Sequence, residues 1–511
     1  DAIDVVAKGT PVSVSLPGGI GSRGAKYEAG ELALGDRGYV DDIRVPGMLH
    51  AALHLTAHVR ADVLAIDTAA ALAAPGVEAV FTAADVPGDI RVGIIYKDWP
   101  IFIGVGERTS YAGDVLAIVV ARTRREARAA AELIKVTYSP LRPIVDAVSA
   151  ITDTEIAVWG TDSNVLSRSE YQRGDTQAAL GTSSFTVTET FQTQRIEHAF
   201  LEPESTLAVP NTEAGTMHVY SGGQGVWDDR DQICDILNIS KDKVTVELVS
   251  NGGAFGGKED MSNQGQTALA AWLLQQPVNC TLSREESFLM HAKRHPIRME
   301  YSVGCDANGK LTAVHARMIG DSGSYASVGM KVLERAAGHA TGPYFVPNVD
   351  IASVAVRTNN PVCGAFRGFG ANQAQFAMEG CLDRIAEQLG ISGWEIRKRN
   401  VIHPGQVWGP GQIMDDGCKG ADMCLDEIKP AYDAAVAAGR AVGLGLGLKN
   451  SGLGNGFREV TRAVVHFRED GIVEVRHGWT EMGQGVHTVA LQVAVEELGI
   501  DASTIRVYVD T

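Results

Sequence analysis

The chain has 511 residues, 45 % of them hydrophobic and 21 % charged. That balance supports roughly two to four domains with real cores and excludes disordered, collagen-like and membrane-embedded classes. A net charge of −17 excludes a general nucleic-acid binder, which needs a basic face, and suits a solubilising surface. The seven cysteines include no C-x-x-C pair, so neither a disulfide framework nor a zinc or iron–sulfur site is expected, and reduced thiols in a cytoplasmic protein fit better. Apolar runs such as "DVLAIVVA" are too short to cross a bilayer, and no signal peptide is visible. The chain opens on Asp1 and closes on "RVYVDT", so both ends read as cuts within a longer polypeptide or assembly.

Residues 1–34 are glycine-rich and weakly patterned, and read as a connecting segment. Residues 35–150 form a small α/β domain. "GMLHAALHLT" and "DVLAIVVA" are strands, "DTAAALAAPGV" is a short helix, and "TRREARAAAELIKVTY" opens a helix with a capping box, Thr123 with Glu126. His50, His54 and His58 fall in a strand-like run, where they read as structural histidines. After a polar crossing, residues 165–410 form a larger α+β domain, with a hairpin turn at Asn308-Gly309 and an amphipathic helix ending at Gly390. Residues 411–511 begin a third domain, with a hairpin around Asp470-Gly471 and a helix stopped by Gly499. The overall class is α+β.

Three glycine-bearing loops each run into a helix: "NGGAFGGKED" (residues 251–260), "CGAFRGFGANQ" (363–373) and "TEMGQGVHT" (480–488). Glycines allow close approach of the backbone to a ligand, and helix starts offer free N–H groups to an anion. Three such loops point to one shared polar ligand with a flat part. The first also has the G-x-x-x-x-G-K spacing of a phosphate-binding loop, but Glu259 stands where that loop needs Ser or Thr for Mg²⁺. A fourth cluster, "GLGLGLKNSGLGNGF", lacks the strand–turn–helix context of a dinucleotide fingerprint and reads as a strand and a loop.

Glu259, Arg335 and Arg367 are the charged candidates near these loops. Glu259 and Arg335 either pair with each other for structure or bracket a polar planar substrate. Gln224, in "SGGQGVW", reads either as a surface turn residue or as an amide facing the ligand.

"GGAFGGKED", "AFRGFGANQ" and "TEMGQGVHT", in this order and spacing, resemble the molybdenum-cofactor subunit of the xanthine dehydrogenase/aldehyde oxidoreductase family, over nearly all of residues 35–511. "YVDDIRVPGMLHAALHLTAHVRADVLAIDTAAALAAPGVEAVFTAADVPG" resembles its α/β hammerhead domain, and "RIEHAFLEPESTLAV" the start of its first cofactor-binding domain. The wording around "KVLERAAGHATGPY" is similar to bacterial selenium-dependent xanthine dehydrogenases. The resemblance implies a hammerhead domain followed by molybdopterin-binding domains, the second incomplete here. It implies a molybdenum–pterin cofactor, plain or in the cytosine dinucleotide form, with a terminal sulfido or selenido ligand and no protein side chain on the metal. Gln224 is then the glutamine beside the metal's oxo ligand. Phe255 and Gly256 lie against the metal centre, Arg367 belongs to the AFRGFG loop, and Met482, Gly483 and Gln484 bind the pterin side. Phe369 packs on a flat substrate, and Glu259 and Arg335 hold a purine. [2Fe-2S] and FAD groups are implied on partner chains, in a cytoplasmic hetero-oligomer built as a dimer of assemblies, with no nucleic-acid or membrane partner.

Two departures stand out. The family's general base, a Glu in a G-x-G-E-like loop, has no counterpart, so a C-terminal segment or second chain would have to supply it; otherwise this is a non-catalytic, cofactor-carrying chain. Where the family has another aromatic facing the substrate, this chain has Leu453, with Phe457 further on, which leaves nicotinate, another N-heterocycle or an aldehyde open beside xanthine or hypoxanthine.

Overall fold

The computed structural model describes residues 18–153, 155–158, 163–452 and 460–511. Two sheets dominate it. The first has seven strands in the order Val244–Leu248, Thr216–Ser221, Ser205–Asn211, Val278–Thr281, Leu49–Leu55, Val115–Ala121, Val77–Thr82. It therefore runs through the expected hammerhead segment and on into the segment after it, joined where Leu49 and His50 pair in parallel with Val278 and Asn279. The wholly buried strand Val115–Ala121 explains why such a junction holds. Successive side chains of a strand face opposite ways. Ile118 and Val120 enter one core with Ile233, Ile236 and Leu269, while Ala117, Val119 and Ala121 enter another with Ala127 and Ala130.

The second sheet has five strands, ordered Val165–Arg173, Asn348–Arg357, Leu311–Gly323, Ile297–Cys305, Phe185–Gln192. Met299, Tyr301 and Val303 point inward and pack with Val332, Leu333 and Ala336 of the helix Gly329–Gly338 and with Ala377, Met378 and Cys381 of the helix Ala371–Leu389. The Asn308-Gly309 turn links two of its strands, with Gly309 at φ +74°. The last part of the chain forms a three-stranded sheet, Ala463–Phe467, Val473–His477 and Ile505–Tyr508, with the helix Val486–Leu498 against it. Its end is stitched to the first sheet: Leu248 N–H donates to Val509 O at 3.0 Å, and Thr511 N–H to Val246 O at 3.1 Å.

Several local expectations are met. His54 Nδ1 bonds Ala131 O at 2.9 Å, a structural role. Thr123 caps its helix by accepting Glu126 N–H, although its hydroxyl, rather than its backbone, meets the Glu126 carboxylate at 2.8 Å. The strand expected in "GLGLGLKN" is not there, because residues 441–450 carry no regular structure. Their backbone is bound by side chains of a helix instead: Leu446 N–H donates to Glu379 and Leu448 N–H to Gln375. The described part of the N-terminal segment is no loose connection. Gln492 donates to Ser22 O, Tyr27 N–H to Thr488 Oγ1, and Val507 N–H to the Tyr27 hydroxyl, so residues 22–27 are held against the helix Val486–Leu498 and the strand Ile505–Tyr508.

Candidate functional site

The first and third glycine loops meet at Gln224, and the second joins the first. Its Oε1 accepts Gly256 N–H at 2.9 Å and Lys258 N–H at 3.3 Å, and its own N–H donates to Lys258 O at 2.8 Å. Its carbonyl accepts the Thr480 hydroxyl at 2.7 Å. The second loop joins the first where Arg367 N–H donates to Phe255 O at 2.9 Å. Two backbone donors fix the amide's orientation, so the Gln224 NH₂ faces away from the first loop. Among the described residues it has no hydrogen-bond acceptor. An outward amide donor between three glycine loops fits an oxo group of a bound cofactor.

The backbone of these loops is unusual at matching places. Phe255 (φ 55°) and Phe369 (φ 50°) both adopt the left-handed conformation that costs a non-glycine residue about 1–2 kcal/mol. Gly256 follows at φ 100°, and a Cβ there would sit 2.7 Å from Ala365 O. Gly370, at φ 91°, would bring a Cβ to 2.1 Å from Val332 O. Glycine is thus required for the first loop to touch the second, and for the second to lie on the helix that carries Arg335.

Phe255 is 42 % exposed, while Arg335 is buried and its guanidinium lies 5.0 Å above the Phe369 ring. Arg335 also donates to Gly452 O at 2.6 Å. Glu259 is half-buried. Burial, with the Asp260 and Asp228 carboxylates beside it, pushes its carboxyl up to about 8. Among the described residues its side chain makes no hydrogen bond or ion pair, so the structural pairing of Glu259 with Arg335 does not occur. The loop is tied to the turn just before the Arg335 helix by its neighbour instead, since the Ser327 hydroxyl donates to Asp260 at 2.5 Å. Arg367 is exposed and contributes its backbone, accepting Arg294 at 2.9 Å through its carbonyl. Met482 is half-buried, and Gly483 and Gln484 are exposed. Leu453 and Phe457 lie outside the described residues.

The resemblance to a nucleotide-binding loop ends at Lys258. Its side chain turns inward, 3 % exposed, with Nζ 3.2 Å from Glu202 Oε2 and 4.8 Å over the Phe200 ring. No phosphate-facing lysine remains.

Sequence reasoning missed the platform beneath the loops, residues 195–204. Glu202 accepts Gly252 N–H at 2.7 Å. His198 bonds Ala365 O at 2.8 Å and stacks on Phe366 at 3.9 Å, and the Arg294 guanidinium lies 3.8 Å from the same ring. Behind them His291 sits between Glu197 (2.7 Å) and Glu204 (3.2 Å), with Lys293 on Glu197 at 2.8 Å. Burial alone would lower the His291 imidazole, but the two carboxylates outweigh it and hold its pKa above the usual value. Glu197, His198 and His291 bring donor atoms within 4.8 Å of one another, yet His291 and Lys293 already supply the positive charge a metal ion would bring. The available signal was three glutamates spaced through the apolar run "RIEHAFLEPES", which on a buried segment requires cationic partners. A cleft of about 1510 Å³ is lined by Trp227, Arg476, His477 and Trp479.

Comparison with known proteins bears on the family and the fold. Residues 34–142 match the family model of the aldehyde oxidase and xanthine dehydrogenase a/b hammerhead domain. Residues 159–401 and 421–511 match two models of a molybdopterin cofactor-binding domain. The chain is 33 % identical over 481 residues to a probable xanthine dehydrogenase subunit of Bacillus subtilis, covering 93 % of this chain and 64 % of that protein, so it spans less than two thirds of that relative's length. It is 34 % identical over 397 residues to the nicotinate dehydrogenase large molybdopterin subunit of Eubacterium barkeri, covering 78 % of this chain and 92 % of that one. The solved aldehyde oxidoreductase of Desulfovibrio gigas superposes with a TM-score of 0.88 at 27 % identity, over 95 % of this chain and 56 % of its own.

Proposed function

This chain belongs to the xanthine dehydrogenase/aldehyde oxidoreductase family of molybdenum hydroxylases, and on that premise we propose that it is the cofactor-bearing part of an enzyme hydroxylating a purine of the xanthine or hypoxanthine type. The observation that carries this reading is Arg335 over the Phe369 ring, with Glu259, whose side chain makes no hydrogen bond or ion pair among the described residues and whose carboxyl burial pushes up to about 8, in the adjoining loop. Gln224, Phe255, Gly256, Arg367, Met482, Gly483 and Gln484 would hold a molybdenum–pterin cofactor. When bound, that group supplies the two-electron oxidation that inserts oxygen from water at a ring carbon.

The chain's own residues do the rest. The Phe369 face selects a planar ring. Negative charge builds on ring nitrogens and exocyclic oxygens as the carbon is attacked, and a cation held there stabilises the transition state more than the ground state. Arg335 supplies that cation, and its stacking on Phe369 keeps ring and charge together. Glu259, neutral at pH 7, donates a hydrogen bond to the same ring. Electrons leave through iron–sulfur and FAD partners, and a further segment or chain supplies the general base, in a cytoplasmic assembly with a sulfido or selenido metal centre.

The similarity to the Eubacterium nicotinate dehydrogenase subunit supports a second reading, with nicotinate as substrate. A substrate panel with a dye acceptor separates the two. For the purine reading, Arg335→Met lowers kcat/KM for xanthine by about 10²–10³-fold, as loss of a donor aimed at developing charge does, while molybdenum content stays unchanged. Equal turnover in the variant would remove Arg335 from the reaction.

A further inference from the structure

The loop 480–488 carries its own anion. Glu481 Oε1 accepts the N–H groups of Gly483 at 2.8 Å and Gly485 at 3.0 Å, and Oε2 accepts that of His487 at 3.1 Å. The helix Val486–Leu498 starts at Gly485, which has no side chain to cap it. The Glu481 carboxylate takes over that task from four residues upstream, at the positive end of the helix dipole. Gln484 closes the rest of the turn: its Oε1 accepts Met482 N–H and its Nε2 donates to Thr480 O, both at 2.8 Å. From outside, Lys26 Nζ approaches Glu481 Oε1 at 3.7 Å, and Tyr27 N–H binds Thr488 Oγ1 at 2.8 Å. Thr480 in turn bonds the Gln224 carbonyl, so the shape of this turn is passed to the centre of the site.

The amide groups that the sequence offers to a ligand's phosphate are therefore already occupied by a side chain of the same loop. We infer that Glu481 is the positioning residue of the third loop: it fills the amide nest at the helix start, fixes the Met482-Gly483-Gln484 turn, and leaves only the outer face of that turn to meet a ligand. Burial pushes the Glu481 carboxyl up, but the backbone donors at Gly485, His487 and Gly483 outweigh it and hold its pKa below the usual value. The link to cofactor retention rests on the proposed function; the occupancy of the nest does not.

Amide hydrogen exchange, read by mass spectrometry on the purified complex, tests the inference. Glu481→Ala raises exchange at Gly483, Gly485 and His487 by about ten-fold or more, against unchanged exchange in the five-stranded sheet, and lowers bound pterin. Glu481→Gln keeps one carbonyl oxygen, so it restores protection at Gly483 and Gly485 but not at His487, a selective pattern that a general loss of packing would not give. Inorganic pyrophosphate added to the wild type leaves these amides unchanged. Protection of the three amides by pyrophosphate, or unchanged exchange in Glu481→Ala, would overturn the assignment. A wild-type protein that shows the exchange pattern yet never carries pterin would overturn the proposed function alone.

Discussion

Glu259 is a carboxyl held at about 8 by burial and by two neighbouring carboxylates, and its protonation sets two expectations. The unfolded chain releases this proton near its ordinary value of 4.5, so between there and pH 8 the native state binds more protons than the unfolded one. Stability is therefore lost as pH rises through that window. Glu259→Gln keeps the neutral form, so its melting temperature exceeds that of the wild type by a margin small at pH 5 and larger at pH 8; a margin independent of pH would show that Glu259 ionises normally. In turnover, ionisation of Glu259 removes a donor, so activity with purine falls above about pH 8 in the wild type, and this limb is absent in Glu259→Gln. The same sign holds at His291, whose raised pKa gives stability that is full below its unfolded value and lost as pH rises through the folded one. His291→Gln leaves Glu204 buried without its cation, while Glu197 keeps Lys293, and costs roughly 3–5 kcal/mol, most at acidic pH, as denaturant melts would show. At this scale the sequence was legible where a residue's role is local. Lys258 was not legible: whether a lysine faces a phosphate or folds under its loop depends on Glu202 and Phe200, at least 56 positions away in the chain.

The glycine loops are built by contacts between elements, and one methyl group suffices to test them. Gly370→Ala brings a Cβ to within 2.1 Å of Val332 O at φ 91°, so the second loop lifts from the Arg335 helix. The variant is expected to lose at least about 1 kcal/mol of stability and to bind less cofactor; a wild-type melting curve with full pterin content would show that this packing does not matter. Turns and caps at this scale were readable, because Asn308-Gly309, Gly390 and Gly499 act on their immediate neighbours. Residues 441–450 were misread because alternating Gly and Leu imitates a strand, while the backbone's real partners are Gln375 and Glu379 on a distant helix. Glu481 escaped notice for a related reason: in "TEMGQG" the glycines draw attention as the ligand-facing groups, and nothing in the letters says that the glutamate folds back onto them.

Across the whole molecule, the segments that read as successive domains share one seven-stranded sheet, and the N-terminal segment and the residues after Tyr508 tie the third domain to the first two. Such long-range pairing leaves no local mark, since the parallel register of Leu49 with Val278 follows from which apolar faces are left to bury. The linkage of the three loops through Gln224 and Phe255 was legible only through motif order and spacing, which placed them near one ligand; the bonds that join them had to come from the structure. Metal and pterin analysis of the purified complex tests most directly whether these loops share one cofactor. Stoichiometric molybdenum and pterin are expected, both reduced when Gln224 is replaced by Ala. Fully active material containing neither molybdenum nor pterin would contradict a shared cofactor.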